Sequence, residues 1–257
     1  MRTETATDQA GAQAMTEATA AADYAPSIHD THPWRWRLTG DSLDLYTEHG
    51  PVPSAADPGH RSAILSCGAA LHHARIALAA RGWRATVTRM PPPEDPEHVA
   101  HIHLGQRAPI DPRAVRQLRL MRQRHSDGRP ASDGPAGAEA LSAIDTSVEA
   151  QGAHLHILGP DQLLALTEAA DPAWQAALAP DQVAVFAILH GDGDEPVDWL
   201  RAGEALSAAW LTATELGVSV LPHSTPVESV STVPAMRALV AGVDHPYLVL
   251  RFGSVGL

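Results

Sequence analysis

The stretch from Leu65 to Gly82 recurs as Leu200 to Gly217, without a gap and at a constant offset of 135 positions. The correspondence pairs Leu65 with Leu200, Gly68 with Gly203, Ala70 with Ala205, Leu71 with Leu206, Ala74 with Ala209 and Gly82 with Gly217. Apolar spacing makes each copy a long helix, the first running roughly from Arg61 to Arg81 and the second from an N-cap at Asp198 through Glu215. Each ends at a glycine suited to the left-handed C-terminal position. Two copies of so long a unit are not a solenoid, which needs several shorter repeats. They suggest a dimer fused into one chain. Gly68 and Gly203, with alanines one turn away, would let the two helices approach closely across a pseudo-twofold axis. The competing reading is that Ala-rich helices resemble one another by composition. Two similar alternating segments, VAHIHLG at 99–105 and AHLHILG at 153–159, read as strands but do not share the helix offset.

With 257 residues the chain can form one large domain or two closely packed halves. Apolar residues make up 44% of it but aromatics only 4%, so its interior is built from closely packed, Ala-rich helices. The net charge of -12 disfavours nucleic-acid binding. All 18 basic residues are arginine, so a bound phosphate would be held by guanidinium groups, helix N-termini or backbone amides, and lysine Schiff-base chemistry is excluded. A single cysteine, Cys67, rules out an internal disulfide and cysteine-based clusters; placed mid-helix beside Gly68, it reads as a small buried apolar residue. The N-terminus has no apolar signal region and no apolar run is long enough to suggest a membrane span, so a soluble, cytoplasmic protein is expected.

Further along, VAVFAIL at 183–189 reads as a buried central strand and PYLVLRFG at 246–253 as a last strand. The stretches at 91–97 and 127–138 are rich in turn formers. The pairs His101/His103 and His154/His156 each place two imidazoles on one strand face. They read as the polar faces of half-buried strands, and no metal site is expected because no carboxylate or cysteine sits at ligand spacing.

Two segments are candidates for chemistry. Residues 25–37, APSIHDTHPWRWR, combine proline-fixed turns, hydroxyls, two imidazoles, a carboxylate and tryptophans, a mixture suited to the edge of a planar heteroaromatic ligand. Residues 122–129, RQRHSDGR, bring guanidinium groups, an imidazole and a hydroxyl onto a glycine-containing loop, which is phosphate-binding chemistry or simply a solvated basic segment. Gly191-Asp-Gly193 lacks the third glycine of a dinucleotide fingerprint.

APSIHDTHPWRW resembles the signature of nitroreductase-like flavoproteins, in which Pro-Ser, an Asn and Gln-Pro-Trp surround the flavin ring. The tracts GHRSAILSCGAALHHARIALAARGW, DWLRAGEALSAAWLTATELGVSVLPHSTPVE and YLVLRFG are similar to the Acg-type branch of that superfamily, in which two subunits are fused. The resemblance covers most of residues 25–257. It implies an α+β fold, a nitroreductase-like three-layer α/β/α arrangement with mixed central β-sheets flanked by helices. Residues 1–24 would form an N-terminal helix or partly disordered extension, 25–120 a first half carrying the ring motif, and 121–257 a second half carrying the phosphate motif.

By the same resemblance, Arg124, His125 and Ser126 match the phosphate motif, with Arg129 beside them. Pro26, Ser27 and Asp30 match the ring motif, with His29 and His32 in the same turn, and Leu221, Pro222, Ser224 and Thr225 match the loop whose backbone faces the flavin. Each motif occurs once, so one FMN site is expected. The implied activity is two-electron transfer from NAD(P)H through flavin to a quinone or nitroaromatic acceptor. The alternatives are a noncatalytic FMN-sequestering protein and a flavin-free scaffold. Asp30 replaces the family's Asn, His32 its Gln, and Gly128 stands where relatives often carry Arg. The lid expected near 179–183 is absent, and the chain stops before the family's basic C-terminal tail. A monomer is expected, because the fused pair completes its own site.

Overall fold

The structure, a computed structural model, describes residues 2–48, 60–92, 95–123, 136–170, 172, 175, 184–224, 232–240 and 244–254. Helix α1 (Arg2–Ala22) leads through a single 3-10 turn at Ile28–Asp30 to strands β1 (Trp34–Thr39) and β2 (Ser42–Thr47). Helix α2 (Arg61–Ala80), β3 (Trp83–Arg89) and β4 (His98–Arg107) follow, and α3 (Pro112–Leu120) closes the first half. The second half runs α4 (Ala138–Glu149), β5 (His154–Ile157), α5 (Pro160–Ala169), β6 (Val185–Gly191), α6 (Pro196–Glu215), β7 (Val218–His223), α7 (Thr232–Leu239) and β8 (His245–Ser254).

The strands form two four-stranded sheets of the same topology, β1-β2-β4-β3 and β5-β6-β8-β7. The fold is α+β, but the strand sense differs from the mixed sheets expected: every described pairing is antiparallel. The reason lies in the order. β2 and β3 run parallel, joined by α2 as a crossover, yet β4 is inserted between them and is antiparallel to both. β8 separates β6 from β7 in the same way.

The duplication extends beyond the helices. In the first sheet the β2/β4 register shifts between Leu45 and Tyr46; in the second the β6/β8 register shifts between Leu189 and His190. The irregularity thus falls at the same place in both sheets. Aligning these shifts makes β4 the counterpart of β8 and β1 the counterpart of β5. The likeness between VAHIHLG and AHLHILG is therefore not part of the repeat, since the first is a central strand and the second an edge strand. In β4 the alternation marks one buried face, whereas no residue of β5 is fully buried.

At the centre α2 packs on α6, and there the equivalent residues meet. A Cβ placed on Gly68 would lie 3.0 Å from the Gly203 Cα and would run into the Leu200 carbonyl. One placed on Gly203 would lie 2.9 Å from the Gly68 Cα and run into the Leu65 carbonyl. One turn on, His72 Nδ1 lies 2.8 Å from Ser207 Oγ, a buried hydrogen bond between positions that are themselves equivalent. The helix ends also match: Gly82 and Gly217 have φ of 71° and 68°, the left-handed value that glycine adopts without steric cost. The start of α6 differs from expectation. Glu195 is the N-cap, in extended conformation, and Asp198 lies inside the first turn, where its carboxylate accepts the Glu195 N–H at 3.1 Å. Pro196 shifts the start because its fixed φ suits the first helical position.

Helices α1, α2 and α3 cover one face of the first sheet through Ala14, Met15, Ala18, Leu71, Leu78 and Ala114, which meet Leu43, Leu45, Ile102 and Leu104. Helices α4 and α6 cover the matching face of the second sheet, with Ile144, Val148, Ala205 and Ala209 against Leu189, Val220, Leu250 and Phe252. The outer faces differ. In the second half α5 and α7 bury Phe186, Ile188 and Val249 under Leu166, Met236 and Val240, completing three layers there. The outer face of the first sheet carries no described helix and presents Arg, His, Asp and Tyr side chains instead. α2 is apolar enough over its length to cross a membrane, with a mean hydropathy of 1.3, but 83% of that stretch is buried inside the protein, which makes it a core helix.

Gly68→Ala or Gly203→Ala should destabilise the protein by about 3 kcal/mol or more, the upper end of overpacking effects, because the added methyl meets backbone that cannot move without parting the helices. Urea unfolding measures this; an Ala variant as stable as the parent would show that the helices do not meet at these glycines.

Candidate functional site

A cleft of about 590 Å³ opens where the halves meet. Pro26, Ser27, His29, Asp30 and His32 form one wall, and Leu221, Pro222 and Ser224 line it from β7 and the residue after it. The turn and the loop that the family resemblance picked out are thus brought together although almost two hundred positions separate them, and His29 Nε2 lies 3.5 Å from Ser224 Oγ. Thr225, and the phosphate-motif residues Arg124, His125, Ser126 and Arg129, lie outside the described residues, as do Gly128 and the expected lid position. The described chain reaches that motif from the cleft, since Met121 and Arg122 both line it.

The first wall is a turn held in an unusual backbone state. His29, Asp30 and His32 all have positive φ, at 58°, 54° and 46°. Non-glycine residues avoid this region, at a cost of roughly 1–2 kcal/mol each, and Asp and His are among those that enter it more readily. The surroundings enforce it. Ile28 N–H donates to the buried Ser66 Oγ at 3.0 Å, and Ser66 in turn donates to Ser62 O at 2.7 Å. Ser27 Oγ accepts the His32 N–H at 3.2 Å, and Thr31 Oγ donates to Ile28 O at 3.0 Å. Such strain concentrates where a loop must present its groups in one fixed geometry.

Sequence reasoning missed Trp210 and Tyr24. Trp210 is buried in α6 and reaches the cleft, and Arg122 stacks on the Tyr24 ring with its Cζ 5.4 Å from the centroid. In the repeat the counterpart of Trp210 is Arg75, an unlike pair. Cys67 is buried, with Sγ 3.4 Å from Pro33 O, and burial pushes its thiol pKa well up, so it is inert.

The 135-residue correspondence also locates the cleft's mirror position. Trp210, Leu221, Pro222 and Ser224 correspond to Arg75, Thr86, Val87 and Arg89. There the two arginines close on Glu204, which has no exposed surface. Arg89 Nε lies 2.6 Å from Glu204 Oε2 and its Nη2 3.1 Å from Oε1; Arg75 also bonds Oε1 and reaches Gln151 Oε1 at 3.4 Å. Glu204 itself stands in place of Ala69. One side of the pseudo-dimer therefore carries a cleft and the other an ion-paired cluster.

The chain is an α+β protein of two similar halves with a strained polar turn at the cleft between them, and its relatives name the family. The chain is 33% identical to "Putative NAD(P)H nitroreductase Rv3131" of Mycobacterium tuberculosis over 281 aligned residues, covering 89% of this chain and 81% of the relative. It is 32% identical to "Putative NAD(P)H nitroreductase acg" of the same organism over 137 residues, 53% of this chain and 41% of that one. Among solved structures, an FMN complex of a nitroreductase from Desulfovibrio desulfuricans is 18% identical, with a TM-score of 0.45 over 55% of this chain and 87% of that one. No protein-family model matches the chain. The protein belongs to the nitroreductase-like family, in its Acg branch.

Removing the Glu204 carboxylate strands two arginines. Glu204→Ala should cost about 2–3 kcal/mol, less than the 3–5 of a fully buried pair because both arginines are partly exposed and can regain water; chemical denaturation reads this, and an unchanged midpoint would mean that the cluster contributes nothing. Acid should also weaken the fold. Burial, with Arg251 nearby, lowers the His223 pKa to about 4, and burial, then Arg75, His73 and Arg113, lowers that of His72 well below 6.5. Because both folded values are depressed, the unfolded chain takes up these protons first, so their contribution is complete above pH 6.5 and is lost as pH falls toward 4. Urea-derived stability should fall across that window and fall less steeply in His223→Gln; equal slopes in the two proteins would remove His223 from the account.

Proposed function

We propose that this protein is an FMN-dependent oxidoreductase that passes two electrons from NAD(P)H to a small aromatic acceptor, a quinone or nitro compound, at one site between its halves. The observation that carries the reading is the cleft itself, where the strained 26–32 turn of one half faces Trp210 and Leu221–Ser224 of the other. Its volume falls within the roughly 300–1,000 Å³ of ordinary ligand sites. Arginine is the only strong cation available to hold a phosphate, and Arg122 stands at the cleft edge where the chain enters the phosphate motif.

In this reading Arg124 and Arg129 hold the phosphate with Ser126 and His125, through charge-assisted hydrogen bonds. Pro26 and Ser27 set the turn, His29, Asp30 and His32 present polar groups to the ring edge, and Leu221, Pro222, Ser224 and Thr225 close the opposite edge. Trp210 supplies an apolar wall. Bound FMN would supply the two-electron chemistry, and no catalytic side chain is assigned. The ion-paired Glu204 cluster fits a single site per chain, working as a monomer with internal pseudo-twofold symmetry.

Asp30 favours a second reading. A carboxylate beside the ring lacks the amide donor of Asn and opposes negative charge on a reduced flavin, which suits a protein that holds FMN without turning it over. Retention of FMN by the purified protein, followed in the visible spectrum, separates these readings from a flavin-free scaffold. We expect one FMN per chain, affinity at least about tenfold lower in Arg124→Ala/Ser126→Ala, as for loss of one charge-assisted contact, and NAD(P)H oxidation when a quinone is added. Retained FMN without NAD(P)H oxidation, and oxidation gained in Asp30→Asn, would establish the sequestering reading; a protein that retains no FMN would overturn both.

A further inference from the structure

The outer face of the first sheet holds a cluster that the proposed flavin site does not use. Asp44 of β2 lies directly across the ladder from His101 of β4, and its Oδ1 receives two imidazoles: His101 Nδ1 at 2.8 Å and His98 Nε2 at 3.0 Å. All three atoms lie within 4.8 Å of one another. Asp44 is 8% exposed, so this is a carboxylate largely removed from water with two nitrogen ligands converging on one of its oxygens.

The surrounding side chains hold the three in place. Arg37 approaches the other carboxylate oxygen, with Nε 3.8 Å from Oδ2, which leaves Oδ1 to the imidazoles. The Tyr46 ring stacks on His98 at 4.7 Å and 20°, fixing its plane, and the Tyr46 hydroxyl accepts from Arg37. His98 Nε2 also lies 3.0 Å from Ala100 O, an acceptor for its proton while no cation is bound. His103, two residues along the same strand, instead faces Asp41 at 3.5 Å.

The duplicated half shows that the fold itself does not require this cluster. By the shared register shift, Asp44 corresponds to Ile188 and His101 to Val249, both apolar and buried under α5 and α7. The same two sheet positions are therefore satisfied by aliphatic packing in one half and by a carboxylate and an imidazole in the other, and His98 stands where the second half has Pro246.

We propose that Asp44, His98 and His101 form a binding site for a borderline divalent cation such as Zn²⁺, with water completing the fourth position. Two nitrogens and one oxygen match the preferences of Zn²⁺, Co²⁺ or Ni²⁺ rather than Mg²⁺ or Ca²⁺. Ligand bonds of about 2.0–2.2 Å require donor atoms roughly 3.3 Å apart, close to the two short separations found, and rotation of the partly exposed His101 ring closes the third. The cation replaces any proton on the two ligating nitrogens and ties β2 to β4. The Arg37 charge weakens the attraction, so the ion exchanges with solvent rather than remaining locked in place.

The test uses the full chain after chelator treatment, dialysed against Zn²⁺, with bound metal measured by atomic absorption and thermal unfolding followed with and without the metal. One Zn²⁺ equivalent and a higher melting temperature are expected. His101→Ala and Asp44→Asn should each lower affinity by at least about tenfold and abolish the shift, whereas His103→Ala should keep both. If a variant fails to fold, His98→Gln, on the sheet surface and similar in size, carries the same comparison. Zn²⁺ uptake that is absent, or that survives His98→Gln and His101→Ala unchanged, overturns the assignment. No flavin readout is involved, so this result stands apart from the fate of the FMN reading.

Discussion

Two glycines decide how this molecule is put together. Gly68 and Gly203 let α2 and α6 touch backbone to backbone, closer than any pair of side chains allows. Each leaves room for the carbonyl of the residue equivalent to its partner's neighbour, Leu200 on one side and Leu65 on the other, so the contact is reciprocal, as an isologous dimer interface must be. The sheets hang on this axis. Each packs one face against its own helices, and the cleft is formed from β7 of one half and the turn before β1 of the other. If the helices were held a methyl group further apart, His29 and Ser224 would no longer meet.

Two halves in one chain need not be identical, and here they differ. A dimer of identical subunits would have two equivalent clefts. Here one carries Trp210 and Ser224, while the other has Arg75 and Arg89 closed around a fully buried Glu204. An unpaired carboxylate there would be prohibitively costly, and the arginines cancel its charge while filling space. The outer sheet faces differ in the same manner. α5 and α7 shield Ile188 and Val249 in the second half, whereas Asp44 and His101 stand in their places in the first. Once a covering helix is present, apolar side chains are favoured; without one, the same positions take polar groups.

The helices and their relation were legible from the residues alone. The constant offset, the glycines at both the contact and the C-termini, and the apolar spacing of α2 and α6 all report local or self-repeating constraints. β6 was legible as a continuous apolar run and β8 as a closing strand, because strands buried on both faces are mostly apolar, although His190 and Arg251 are buried in them too. The start of α6 was misplaced at Asp198, since an aspartate before a helix looks like a cap whether it stands at the cap or inside the first turn. The likeness of 99–105 to 153–159, which does not share the helix offset, carried no information on where in a sheet each strand lies: one is central and the other an edge. Asp44 escaped notice beside the histidine pairs because cross-strand neighbours have no fixed spacing in the chain.

By itself, then, the sequence determined that two long helices recur at a constant offset, that each carries a glycine where close approach is possible, and that 25–37 is the chemically dense segment. These are properties of periodicity, steric bulk and composition, which act over a few residues or recur along the chain. Only the tertiary structure decided which residues share a surface. It set β4 between β2 and β3 and made every pairing antiparallel; it brought Trp210 and Ser224 to the 26–32 turn, and it closed Arg75 and Arg89 on Glu204. It also aimed His98 and His101 at one oxygen of Asp44. Such choices depend on how far-separated elements register across a common core, within each half and between the two, which no local pattern encodes.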